Sequence, residues 1–157
     1  MPTPTRRSDG LNGISLPFPD LELDAEDEAL VAAARAVIEA HHRPFWHTVA
    51  AAIRSTDGRV WTGVHLGATV GRLAVCAEPI ALGRAILEGD GSMAVGVAVR
   101  HRKPEEGPGR PDVVSPCGAC RDLLLDYAPD ALVIVPGPAG APVKRPLRAM
   151  LPLPYRR

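Results

Sequence analysis

Residues 49–64 read Val49-Ala50-Ala51-Ala52-Ile53-Arg54-Ser55-Thr56-Asp57-Gly58-Arg59-Val60-Trp61-Thr62-Gly63-Val64. Asp-Gly between two runs that carry β-formers is a strong hairpin signal, because the tight turn needs residues that tolerate positive φ. The stretch predicts two antiparallel strands, Thr48–Ser55 and Arg59–His65. Upstream, Asp24 can cap a helix whose first turn is acidic (Glu26, Asp27, Glu28), which suits the positive end of the helix dipole. Leu30, Val31, Ala34, Val37 and Ile38 then recur at helical spacing, and the pattern ends at His41 to Pro44. Residues 1–23 are proline-containing and aperiodic, so they are expected to form a flexible arm ahead of one domain over 24–157.

Downstream of the hairpin, a second helix is expected from near Cys76 to about Glu88, ended by Gly89-Asp90-Gly91. Ser92–Arg100 alternates as a strand, and the Pro/Gly/charge-rich stretch Lys103–Pro111 is expected to be a mobile loop. A third helix starts at or just after Pro116 and runs to about Tyr127. Ala131–Val135 reads as a strand, Pro136–Pro142 as a turn-rich break, and Leu147–Leu151 as a last short helical turn. The order α-ββ-α-β-α-β predicts a mixed sheet covered by helices on both faces, a three-layer α-β-α sandwich.

The chain has 157 residues and balances 18 basic against 18 acidic side chains. Zero net charge is a poor match for a protein that grips a nucleic-acid backbone, where binding runs on net positive charge. Local basic clusters (Arg100, Arg102 and Lys103; Arg145, Arg148, Arg156 and Arg157) read as solvated surface or subunit contact. No run approaches the ~20 apolar residues of a membrane span. No apolar signal-peptide core follows Arg6 and Arg7. A cytoplasmic location is the expectation, and it suits reduced thiols.

All three cysteines fall in two short motifs, Cys76-Ala77-Glu78 and Pro116-Cys117-Gly118-Ala119-Cys120-Arg121. Three thiols, one nearby carboxylate and no fourth cysteine match what a catalytic zinc needs: three protein ligands and an open position for water. A structural zinc knot would want a fourth ligand, and a redox C-x-x-C pair would leave Cys76 and Glu78 without a role. Residues two apart diverge by about 200° on a helix. Cys76 and Glu78 therefore share a site only if Cys76 lies at the non-helical edge of the first turn. Arg121, directly after the last thiol, could donate to the sulfurs and withdraw some of their charge.

Cys-Ala-Glu followed by Pro-Cys-Gly-x-Cys-Arg resembles the cytidine deaminase family, including its blasticidin S deaminase branch. The likeness extends to the 49–64 hairpin and to Met150-Leu151-Pro152 with Tyr155. It implies a central mixed five-stranded sheet, one zinc per chain on Cys76, Cys117 and Cys120, and Glu78 as the catalytic proton shuttle, with Arg121 in support. The reaction implied is hydrolytic deamination of a free cytidine-like nucleoside or related amino-heterocycle. A nucleoside antibiotic or secondary metabolite is the alternative substrate, and a polynucleotide cytosine the third. A homotetramer is implied, with a dimer as the alternative. Phe45, Trp46, His47, His65, Ala77 and Ser115 become candidate substrate-binding residues. One departure stands out. Where the family holds ribose with Asn-x-Glu, this chain reads His65-Leu66-Gly67, so recognition of the appended sugar is altered.

Overall fold

The hairpin and the three helices form where the pattern puts them, in a computed structural model that describes residues 18–138 and 140–155. The elements are α1 (Ala25–His41), β1 (Val49–Arg54), β2 (Val60–Val64), α2 (Ala77–Glu88), β3 (Val95–Arg100), β4 (Asp112–Val114), α3 (Gly118–Tyr127), β5 (Leu132–Pro136) and β6 (Pro142–Pro146). Short 3₁₀ turns lie at Gly71–Leu73, Pro104–Glu106 and Leu147–Met150. Strand order is β2-β1-β3-β5-β6, with β4 paired to β3. Only β3 and β5 run parallel; every other pair is antiparallel.

The sheet is mixed as expected but has six strands instead of five. The two strands missing from the sequence reading are β4 and β6. β4 is three residues long, too short to show alternation. β6 begins and ends on proline and carries Lys144 and Arg145, a composition that reads as a break but is allowed at a sheet edge.

Strand alternation sorts the core into two layers. Ala50, Ala52, Val95, Val97, Val99 and Ile134 pack under α1 through Leu30, Val31, Ala34 and Ile38. Ala51, Ile53, Ala98, Val133 and Val135 pack under α2 and α3 through Ala77, Ala81, Leu82 and Leu124. The small alanines of β1 on both faces let helices approach the sheet closely.

α1 is fastened by charge as well as by its apolar stripe. Asp24 and Asp27 form a capping box. The fully buried Asp27 carboxylate also accepts from Arg54 of β1 at 2.9 Å and pairs with Lys144 of β6. Lys144 reaches Asp24 as well, at 3.1 Å. The Asp27 backbone N–H and the Lys144 ammonium hold the Asp24 carboxyl down at about 2.

Residues 1–17 of the expected arm lie outside the described residues, as do Arg156 and Arg157. In the rest of the arm, Leu21 pairs with Lys144 through two backbone hydrogen bonds and Asp20 accepts from Arg145 at 2.6 Å. That segment therefore covers the open edge of β6. The Lys103–Pro111 loop, expected to be mobile, is instead stapled. Arg100 reaches Glu106 at 2.8 Å and Asp112 at 2.9 Å, while Arg102 reaches Asp112 at 2.9 Å. The Arg100 hydrogen bond, then the Lys103 backbone N–H, hold the Glu106 carboxyl down to about 2. Of the basic clusters, Arg100, Arg102, Arg145 and Arg148 are thus ion-paired. Among the described residues no helix is long and apolar enough to cross a membrane.

Removing one partner of a buried ion pair leaves the others desolvated and unpaired. Asp27→Ala is expected to destabilise the fold by about 3–5 kcal/mol in a denaturant titration. A loss under about 1 kcal/mol would show that the network contributes little.

Candidate metal centre

Two helix starts meet over the end of the sheet. Cys76 is the N-cap of α2 with extended backbone, φ −63° and ψ 160°. That conformation lets Cys76 and Glu78 face one site, which a regular helix would forbid. Cys117 is likewise the extended N-cap of α3, at φ −66° and ψ 169°, and Cys120 follows in the first turn. Pro79 sits in the first turn of α2, where the missing N–H is harmless.

The three sulfurs lie within 4.8 Å of one another, and those of Cys76 and Cys117 are 3.7 Å apart. A tetrahedral zinc with Zn–S bonds of about 2.3 Å spaces its sulfurs by about 3.8 Å. Donor set and spacing therefore fit a metal ion. Among the described residues no fourth His, Cys, Asp or Glu joins the cluster, so one coordination position has no protein ligand. Glu78 stands beside it, only 8% exposed.

Backbone contacts hold this arrangement. At Gly63 a Cβ would fall 2.5 Å from both Ala77 O and Ala81 N, so only glycine lets the first turn of α2 lie on β2. Leu66 and Val75 exchange two backbone hydrogen bonds of 2.9 Å, which fixes the residue just before Cys76. Arg121 does not turn to the sulfurs. Its Nε donates to Pro116 O at 2.8 Å and a terminal nitrogen to Met150 O at 3.0 Å, tying the Cys117 loop to the C-terminal segment. Those carbonyls lie within reach and need donors, so Arg121 supports the site by holding backbone.

Burial opposes ionisation at all three thiols and prevails at two of them. Burial, then the charge of Glu78, pushes the Cys120 thiol far up. Burial is also the main cause that raises Cys76, opposed by a hydrogen bond from Cys120. Burial works against ionisation of Cys117 too, yet the Cys120 backbone and the Cys120 and Cys76 thiols outweigh it and hold Cys117 below the ordinary value. A divalent ion would reverse the balance at the two raised thiols.

The other expected site residues lie on two adjoining segments. His47 Nδ1 is 2.9 Å from His65 O, and His65 Nδ1 is 3.3 Å from Thr48 Oγ1. Phe45 and Trp46 form a turn against Gly67, with Gly67 N–H donating to Trp46 O at 2.7 Å. Ala77, the first residue of α2, is fully buried. Ser115 is exposed just ahead of Pro116. Sequence reasoning missed Thr48 and Gly63; an isolated glycine inside a strand was the available signal for the second. His101, just after β3, stacks on His42 at the end of α1 with ring centroids 3.5 Å apart.

Over 135 residues the chain is 40% identical to a blasticidin-S deaminase of Bacillus cereus, covering 86% of this chain and 96% of that one. The chain belongs to the cytidine deaminase-like family. A probable cytidine deaminase of Dictyostelium discoideum is 29% identical over 112 residues, 71% of either chain. The crystal structure of cytidine deaminase from Burkholderia pseudomallei superposes with a TM-score of 0.66 at 27% identity, covering 82% of this chain and 98% of that one. No family model matches the chain. Membership of this family makes the protein a deaminase, and its three-cysteine cluster is able to hold a metal ion.

Metal analysis of the purified protein is expected to find one bound ion per chain. Cys76→Ala, Cys117→Ala and Cys120→Ala should each abolish it. Well under half an ion per wild-type chain would contradict the ligand set.

Proposed function

We propose that this protein is a zinc-dependent hydrolytic deaminase of a free cytidine-like nucleoside or related amino-heterocycle, with residues 24–157 as its catalytic domain. The observation that carries the reading is Glu78, buried to 8% exposure beside three sulfurs held within 4.8 Å. A zinc ion on Cys76, Cys117 and Cys120 supplies a Lewis acid that makes a bound water more acidic.

Glu78 does the proton work. Its carboxylate takes a proton from the attacking water and passes it to the ring nitrogen beside the amine-bearing carbon. It then takes the second proton, from the newly attached hydroxyl, and delivers it to the departing amine, leaving a carbonyl on the ring. One water is consumed, a C–O bond forms, the C–N bond breaks and ammonia leaves. The carboxylate suits that task because it is fixed in the first turn of α2, two residues from a metal-site thiol. Arg121 holds the Pro116 carbonyl, and with it the approach of Cys117. Phe45, Trp46, His47, His65 and Ser115, with the backbone of Ala77, form the substrate side of the site.

Two observations favour a nucleoside antibiotic or secondary metabolite as the substrate: the 40% identity to a blasticidin-S deaminase, and Gly67 in a space that admits no side chain. Neutral charge argues against a polynucleotide. Three free thiols suit the cytoplasm.

Glu78→Gln keeps shape but cannot shuttle a proton. It is expected to lower kcat by about 10²–10⁴-fold with the metal still bound, followed as ammonia release from cytidine, deoxycytidine, cytosine and blasticidin S. Unchanged turnover in a metal-loaded Glu78→Gln protein would end the deaminase mechanism.

We also infer a homo-oligomer, a tetramer by family resemblance. Leu73, Leu87 and Tyr127 stand 65%, 86% and 56% exposed, apolar surface that a second copy would cover. Light scattering should give the mass of four chains; a monomer would refute the assembly.

A further inference from the structure

Phe45 is one of two non-glycine residues with positive φ among the described residues, at 67°, yet its side chain is 90% exposed. A bulky residue in that backbone region is strained, and such strain persists only where the surroundings impose it. Here the surroundings are identifiable. Arg43 and His47 pair with each other through hydrogen bonds of 3.1 and 2.8 Å, and Trp46 N–H donates to Arg43 O at 3.0 Å. The turn they close rests on Gly67, whose N–H donates to Trp46 O at 2.7 Å. A Cβ on residue 67 would lie 2.3 Å from Phe45 O and 2.9 Å from Trp46 Cα. Only glycine admits the turn.

The turn is also coupled to the metal site. Gly67 follows Leu66, Leu66 is paired to Val75, and Val75 precedes Cys76. On the same side His47 Nδ1 lies 2.9 Å from His65 O. What this rim displays is apolar. Phe45, Trp46, Leu66, Val70 and Val75 are all exposed, and residues 43–48 and 65–76 contain no carboxylate. Arg43 lies over the Trp46 ring at 5.4 Å and keeps its edge outward.

We propose that Gly67 is a positioning residue for substrate selection: it is the seat that locks the Arg43–His47 turn and so presents Phe45 and Trp46, close to Cys76, as an aromatic edge for the part of the substrate beyond the reacting ring. This rests on the deaminase reading above. The appended group is read by stacking and apolar contact, and no side chain at position 67 grips a hydroxyl. A site that hydrogen-bonds a hydroxyl rejects the analogue lacking it by about 10⁴–10⁵-fold. An aromatic edge has no such penalty, so the enzyme tolerates changes in the hydroxyl pattern of the appended group.

The test compares cytidine, 2′,3′-dideoxycytidine and cytosine with the wild type, Gly67→Ala and Phe45→Ala, all zinc-loaded. The wild type is expected to lose less than about tenfold in kcat/KM between cytidine and its dideoxy analogue. Gly67→Ala and Phe45→Ala should each raise KM for both nucleosides by about tenfold while kcat falls less than about threefold, and both should move KM for cytosine far less. A loss above about 100-fold on removing the hydroxyls overturns the proposal. So does an unchanged nucleoside KM in Phe45→Ala, which removes a side chain that is 90% exposed, or a Phe45→Ala effect confined to oligomeric state.

A readout free of turnover separates this claim from the deaminase reading. With only two tryptophans in the chain, Trp61→Phe leaves Trp46 as the sole emitter. Adding Gly67→Ala should then shift Trp46 emission to the red as the turn is pushed off its seat. Unmoved emission refutes the lock whatever the catalytic result. A shifted emission, in an enzyme that releases ammonia from no amine-bearing heterocycle, refutes the deaminase reading alone.

Discussion

Three thiols within 4.8 Å of one another and a buried carboxylate beside them are the constraint to which the rest of the fold answers. Burial opposes ionisation of Cys76 and Cys120, so without thiolate charge to draw them to an ion the polypeptide itself has to hold the three thiols together. It does so with the ends of two helices, where unpaired backbone N–H groups already favour negative charge. Cys76 and Cys117 are both N-caps with extended backbone. The sheet must therefore carry α2 and α3 on one face with their first turns converging, and the glycine at position 63 is what allows α2 close enough.

The opposite face answers a different demand. A thin alanine-rich β1 gives little volume to bury, and α1 compensates by adding charge to its apolar stripe. Asp27, fully enclosed, links α1 to β1 through Arg54 and to β6 through Lys144. The link runs from the hairpin that carries α2 across to the edge strand beyond β5. One helix is thereby tied to both sides of the sheet.

Much of this was legible in the residues because local and tertiary signals agree. Asp24 with its acidic first turn, the Asp57-Gly58 hairpin and the clean alternation of β3 each state one structure. The cysteine motifs point to three thiols that share one place, and the need for Cys76 to sit outside the helix follows from helical geometry alone. What was not legible depends on pairing partners distant in sequence. β6 has two prolines and two cations, and becomes a strand only because β5 and Leu21 offer it backbone partners. Arg121 looks like a partner for sulfur until the carbonyls of Pro116 and Met150 are in place. The loop after β3 looks mobile until Arg100 and Arg102 find Glu106 and Asp112. Gly67 looks like a lost side chain; its close approach to Phe45 O exists only once the turn is folded against it.

That last case separates two kinds of constraint within one site. The reacting centre is set by helix caps, whose geometry follows from the backbone and tolerates almost no change in residue type. The rim is set by a short turn resting on one glycine, outside any helix or strand. The rim meets the sulfurs only through the paired backbone of Leu66 and Val75, the residue before Cys76. Chemistry and selection are thus held by different elements. The three-cysteine cluster therefore depends on two helix starts, and the turn beside it depends on the stretch from His65 to Val75.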